Sequence, residues 1–162
     1  MKIIANNRKA SFEYFLQDKY QAGICLCGSE VKSLRAGTVG LEDSYVVVRG
    51  SNVYIKNMYI KPYEKTTAYA VDERRDRKLL LNKKEILKIS RQLNDVGLTI
   101  VPTKIYFNNN LVKIEIAIAK GKKLYDKRES IKNKEILRQK SRHLYWFFKK
   151  YWIFWQFVIK IN

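Results

Sequence analysis

The sequence predicts a mainly β protein: an antiparallel sheet curled into a small barrel, flanked by short helices and followed by a basic C-terminal tail. Three observations carry that reading. "LVKIEIAIA", starting at Leu111, alternates with period two, as a strand with one face in a core does. Two pairs of runs rich in β-branched and aromatic residues are joined by short turn sequences, as in hairpins. Of 162 residues, 33 are Lys or Arg and 15 are Asp or Glu, and half of the +18 surplus falls in residues 120–150, which hold 12 basic and 3 acidic side chains.

The elements follow in chain order. "NRKASFEYFLQ" (7–17) is expected as a short helix, with Phe12, Phe15 and Leu16 at helical spacing. "YQAGICLCG" is expected as a strand ending at Gly28, after which Ser29 caps a two-turn helix, "SEVKSLRAG", closed by Gly37. "SYVVVRGSNVYIKNMYI" is a hairpin whose Gly50-Ser51 pair suits a type II′ turn. Residues 61–78 show neither period and are expected as a long, charged loop. "NKKEILKISRQLNDVG" is the clearest helix: Asn82 and Glu85 form a capping-box pattern, Ile86, Ile89 and Leu93 line one face, and Gly97 ends it.

"LTIVPTKIYF" and "LVKIEIAIA" form a second hairpin across residues 108–110. In the latter Val112, Ile114, Ile116 and Ile118 face one way, and Lys113, Glu115, Ala117 and Ala119 the other. The apolar phase of the former shifts between Ile100 and Ile105, which predicts a bulge near Pro102. Five or six strands in hairpins, interrupted by short helices, fit the open five-stranded oligonucleotide-binding barrel. The expected division is 1–120 for the barrel and 121–162 for a tail that is disordered, or helical on a partner, because residues 122–142 hold few aliphatics.

Composition narrows the function classes. An excess of cations this large implies a polyanionic partner. The first residues are too briefly apolar for a secretory signal, so the protein is expected in the cytoplasm. Cys25 and Cys27, two apart on a strand, are expected as buried free thiols, and a single histidine completes no zinc site. No nucleophile with its base and no glycine-rich phosphate loop is present, so neither catalysis nor a cofactor is expected.

Binding has better candidates. Tyr125 stands among Lys122, Lys123, Lys127 and Arg128, as a base-stacking residue or a tyrosine resting on the barrel. Glu30 opens its helix either as a partner of the helix dipole or as an acceptor for base N–H groups. In "RRDRKLLL" the leucines suggest core, and Arg74, Arg75, Arg77 and Lys78 a solvated face or a phosphate clamp. These features alone leave a generic single-stranded RNA binder open.

Six blocks in order, "NRKA", "GSEVKSLRAG", "NMYIKPYE", "RKLLLNKKEI", "GLTIVPTKIYF" and "IEIAIAKGKKLYDKR", resemble those of the small protein B family, the SsrA-binding proteins that partner transfer-messenger RNA in bacterial ribosome rescue. The resemblance covers residues 6–129. It implies an oligonucleotide-binding barrel that grips the tRNA-like domain of that RNA and stands in for a missing anticodon arm. By motif, the RNA-gripping positions are Asn7, Lys9, Glu30, Lys32, Arg35, Arg77, Lys78 and Leu80. Lys122, Lys123, Tyr125, Asp126, Lys127 and Arg128 begin the tail that enters the decoding centre and mRNA channel of a stalled ribosome, with Asp126 orienting the neighbouring cations. The implied protein is a monomer that meets elongation factor Tu only through the charged RNA and has no stable membrane association.

Three departures stand out. Ser11 and Phe12 replace the usual Arg-His, and Glu73 replaces the proline of the "DPxRxRKLLL" stretch. The chain also ends in "HLYWFFKKYWIFWQFVIKIN", with nine aromatics between Tyr145 and Phe157. That run is expected as a divergent terminus; its longest apolar stretch is too short to cross a bilayer, though it would suit an interface.

Overall fold

The fold is taken from a computed structural model that describes residues 1–63, 72–133 and 135–140. The central part of the 61–78 loop and the aromatic terminus lie outside the described residues. The chain divides into one unit from Met1 to Lys122 and a second from Lys123 onward.

The first unit runs β1 (Lys2–Asn6), α1 (Arg8–Glu13), β2 (Tyr14–Ile24), α2 (Gly28–Arg35), β3 (Val39–Gly40), β4 (Tyr45–Arg49), β5 (Asn52–Lys56), β6 (Tyr59–Ile60), β7 (Arg77–Leu80), α3 (Lys83–Leu93), β8 (Leu98–Asn108) and β9 (Leu111–Gly121). Strands β8, β4, β5, β7, β2 and β9 pair in that order, and β9 pairs back onto β8. All six junctions are antiparallel, so the ring closes with six strands rather than remaining an open five-stranded sheet. The length of β8 permits closure: one edge meets β4 at Ile100 and β1 from Lys104 to Phe107, while the other follows β9 throughout.

The isoleucines fill the ring. Ile114, Ile116 and Ile118 of β9 are fully buried with Val53, Ile55, Ile100 and Ile105, each such side chain stabilising by about 1.5–3 kcal/mol. The opposite face of β9 is buried too. Ala119 packs with Val101 and with Ala10 of α1, which lies on the outer wall. Small residues there let the helix approach the sheet.

The expected bulge is present: the β8–β9 register shifts between Pro102 and Lys104. It skips Thr103, whose carbonyl accepts the Asn7 N–H at 2.7 Å, and whose hydroxyl donates to Glu115 at 2.8 Å. The bulge thereby fixes where β1 gives way to α1.

Three sequence expectations are corrected. The first helix stops at Glu13, and Tyr14, Phe15 and Leu16 already pair with Gly121, Lys120 and Ala119 of β9. Strand pairing outweighs the local helical spacing because it satisfies backbone groups along both chains. Strand β2 ends at Ile24, so Cys25 and Cys27 leave the sheet and are exposed free thiols, not buried ones. Helix α2 starts one turn corner earlier, with Cys27 rather than Ser29 as its N-cap. Gly37 and Gly97, at φ +80° and +86°, take the left-handed backbone that follows α2 and α3.

Strand polarity separates two ends of the barrel. Helix α2 follows the end of β2, where the turn at 109–110 between β8 and β9 also lies, since Gly23 pairs with Lys113. At the other end Tyr14 pairs with Gly121 and Leu98 with Lys120, so the chain leaves the barrel near the last turn of α3. Lys122 is still anchored there: its N–H donates to the Glu13 carbonyl at 2.9 Å and its ammonium lies 5.0 Å over the Phe15 ring.

In the second unit residues 124–133 and 135–140 are helical. Asp126 accepts the Lys123 backbone N–H at 3.0 Å, so it caps this helix instead of orienting Lys127 and Arg128.

Candidate nucleic-acid interface

The α2 end is organised by one carboxylate. Glu30, the third residue of α2, accepts the Cys27 N–H at 2.8 Å and closes a capping box. Its Oε1 also accepts from Arg77 Nε at 2.8 Å and Arg75 Nε at 2.9 Å, and its Oε2 accepts from Arg75 Nη2 at 2.6 Å. Glu30 is therefore neither a free dipole partner nor an open acceptor for bases: it is buried and its oxygens are occupied. Burial alone would raise its carboxyl, but the Arg75 and Cys27 hydrogen bonds and the Arg77 charge hold it below the ordinary value of 4.5.

Arg77 is the largest fully buried side chain in the described residues. Beyond Glu30 it donates to the carbonyls of Met58 at 2.6 Å, Glu73 at 3.0 Å and Arg75 at 3.2 Å. A buried guanidinium is tolerated only when its charge is paired and its N–H groups are satisfied. These bonds pin residues 72–76 to β6 and α2. The arginines of "RRDRK" thus divide: Arg77 and Arg75 build the fold, while Arg74 is exposed, 5.9 Å from the Tyr59 ring.

The strand β7 shows alternate faces. Arg77 and Leu79 point inward, Lys78 and Leu80 outward, with Leu80 54% exposed. The expectation that the leucine run is core holds for Leu79, which is buried, and for Leu81, which is half-buried against the core, but not for Leu80. Leu80 sits opposite Gly23, where a Cβ would come within 3.3 Å of the Leu80 Cβ, so the glycine makes room for it.

On the outer face of α2, Lys32 lies 5.4 Å from the Tyr63 ring and Arg35 is exposed. Asn7 turns inward: its amide donates to the Leu41 carbonyl at 2.8 Å and the Pro102 carbonyl at 3.1 Å, while its oxygen caps α1 at Ala10. Lys9 is outside, paired with Asp43 at 3.0 Å. Of the eight positions carried over by motif, Asn7, Glu30 and Arg77 are structural in their contacts, and Lys9, Lys32, Arg35, Lys78 and Leu80 reach solvent. The rings of Tyr59 and Tyr63 were not singled out from sequence; the signal was their place beside cations in "NMYIKPYE".

In the second unit Tyr125 is 75% exposed, as is Leu124. Among the described residues no three His, Cys, Asp or Glu side chains are grouped to hold a metal ion, and no helix is long and apolar enough to cross a membrane.

The family described as SmpB protein matches residues 4–145, a span that takes in the whole barrel and the start of the tail. The chain belongs to the SmpB family. An SsrA-binding protein of Acetivibrio thermocellus is 50% identical over 143 residues, 88% of this chain and 93% of its own length. One from Wolbachia sp. subsp. Drosophila simulans is also 50% identical, covering 88% of this chain and 96% of its own. Among solved structures, "tmRNA-SmpB: a journey to the center of the bacterial ribosome" contains a chain that is 43% identical, with a TM-score of 0.65, matching 78% of this chain and 93% of that one. The SmpB match stops at residue 145, so nearly all of the aromatic terminus lies beyond it.

Proposed function

We propose that this chain is a non-enzymatic RNA-binding protein that binds the tRNA-like domain of transfer-messenger RNA and brings it to stalled ribosomes for trans-translation, acting in the cytoplasm as a monomer. The observation that carries this is SmpB family membership across residues 4–145, together with relatives named SsrA-binding proteins at half identity. The charge supports it: +18 supplies phosphate affinity without requiring any catalytic group.

The outward side chains then carry the contacts. Lys9, Lys32, Arg35 and Lys78 meet phosphates, and Leu80 offers an apolar surface to a base or sugar. Asn7, Glu30 and Arg77 serve RNA binding by holding α1, α2 and residues 72–76 in place. Lys123, Tyr125, Lys127 and Arg128 enter the decoding centre, with the exposed tyrosine stacking on a base. Elongation factor Tu is met through the charged RNA.

The deciding experiment compares the affinity for the isolated tRNA-like domain with that for an ordinary tRNA at near-physiological salt. A preference of at least tenfold for the tRNA-like domain is expected. Equal affinities would instead identify a generic single-strand binder whose grip is set by charge.

A further inference from the structure

At the α2 end of the barrel lies a cleft of about 440 Å³ lined by Met1, Lys2, Arg35, Phe107, Asn109 and Asn110. Resting on the RNA-binding reading above, we propose that this cleft is a subsite for one unpaired nucleotide of the bound RNA. Its phosphate sits against Arg35 and Lys2, its base on the Phe107 ring, and its hydrogen-bonding edge faces the Asn109 and Asn110 amides.

The chemistry of the lining selects that ligand class. No carboxylate lines the cleft, and both of its charged side chains are cations, so it favours an anion. Arg35, Lys2, Asn109 and Asn110 have no ion-pair or side-chain hydrogen-bond partner among the described residues, so all four are available. Phe107 is held from behind: it is half-buried against the barrel core and pairs with Lys2 across β1 and β8, which leaves part of its ring as a fixed wall. Stacking on a fixed ring costs little ordering entropy and tolerates any base.

The amides add discrimination. An asparagine presents a donor and an acceptor together, the combination that reads a base edge. Asn109 takes φ +54°, a left-handed conformation that asparagine tolerates, so the turn itself accounts for that residue. Asn110 has no such backbone demand, and its amide stands exposed beside the cleft. The volume is in the range of small-ligand pockets, about 300–1,000 Å³.

The position is also apt. Arg35 is three residues from Lys32 on the outer face of α2, so a strand tracking that face reaches the cleft without turning. Asn109 and Asn110 of the β8–β9 turn complete its lining.

Two measurements test the proposal. The full-length protein is titrated with each nucleoside 5′-monophosphate and, separately, with inorganic phosphate, following the Asn109 and Asn110 side-chain amides and the Phe107 ring by magnetic resonance. Movement of these signals by at least one nucleotide, and not by phosphate at the same concentration, is expected; equal movement with phosphate, or none with any nucleotide, overturns the subsite.

In the second, Phe107→Leu and Asn110→Ala are compared with the unaltered protein for affinity to the tRNA-like domain. Roughly tenfold weakening is expected for the loss of stacking, and roughly threefold for the loss of the amide. Asn110 lies on an exposed turn, so its variant keeps the test informative even where Phe107→Leu disturbs the core. Unchanged affinity in both variants overturns the subsite and leaves RNA recognition standing. Failure of the unaltered protein to prefer the tRNA-like domain removes the transfer-messenger RNA reading, and the nucleotide titration then decides the subsite by itself.

Discussion

Arg77 donates to Glu30 across 2.8 Å although 47 residues separate them, and both side chains are shut away from solvent. A guanidinium in that position is stable only while the carboxylate opposite it is charged. Glu30→Gln leaves the shape and removes the charge, so it strands Arg77 in a dry site, at a cost of about 3–5 kcal/mol. Denaturant unfolding of the two proteins at neutral pH measures it.

The same pair sets a pH dependence. The Glu30 carboxyl is held below its ordinary value of 4.5, burial being outweighed by Arg75, Cys27 and Arg77. A group whose folded value is depressed stabilises fully above its unfolded value and loses that contribution as the pH falls through the folded one. The stability gap between the unaltered protein and Glu30→Gln is therefore expected to be constant from neutrality to about pH 5 and to shrink in stronger acid. A gap that stays the same down to pH 3 would show that Glu30 carries no depressed titration.

This network was not legible in the sequence, and the reason is physical. Periodicity reports which face of one element is buried; it says nothing of which distant groups meet. The second hairpin and α3 were legible because their signals are local: a period of two in "LVKIEIAIA", and a capping box in which the Asn82 N–H donates to Glu85 at 3.0 Å. The step from α1 to β2 was not, because Phe12, Phe15 and Leu16 satisfy a helical spacing while the backbone partners of Phe15 and Leu16 lie on β9, a hundred residues away. Ring closure was likewise hidden: it depends on β8 dividing one edge between β4 and β1. At the proposed interface, family likeness supplied the candidate positions, whereas only the fold divides them into those that face out and those that hold others in place.

The cysteines give a direct check on where β2 ends. With Ile24 as its last residue, Cys25 and Cys27 lie outside the sheet and both thiols are exposed. A thiol reagent such as dithionitrobenzoate is expected to modify both in the folded protein at rates within roughly tenfold of those in denaturant, since accessibility and thiolate fraction govern the reaction. Protection of either by more than a hundredfold would return it to the barrel interior.

Asn7 tests whether α1 is positioned from within. Its amide bridges the carbonyls of Leu41 and Pro102 and its oxygen caps the helix. Asn7→Ala removes the cap and leaves two buried carbonyls short of donors, which is expected to cost about 2–4 kcal/mol. Lys9→Ala, on the exposed side, is expected to leave stability nearly unchanged while weakening RNA binding and flattening its salt dependence by about one counterion. If Asn7→Ala weakened RNA binding without lowering the melting temperature, Asn7 would be a contact residue and not a positioning one.

The proposed roles of barrel and tail are separable by truncation. Lys122 belongs to the barrel by its bonds to Ser11 and Glu13, and Lys123 opens a helix of its own, so a cut between these neighbours tests the proposed division of RNA grip from delivery. Removing residues 123–162 takes away Tyr125, Lys127 and Arg128 but no side chain of the α2 face. It is expected to leave affinity for the tRNA-like domain within roughly threefold, a residual loss coming from fewer non-specific phosphate contacts, and to abolish tagging of stalled peptides in a reconstituted translation system. Removing only residues 143–162, nearly all beyond the SmpB match, is expected to preserve both. A tenfold loss of RNA affinity in that shorter truncation would make the aromatic terminus part of the RNA grip, and tagging that survives the longer one would rule out entry of the tail into the decoding centre as the step that licenses rescue.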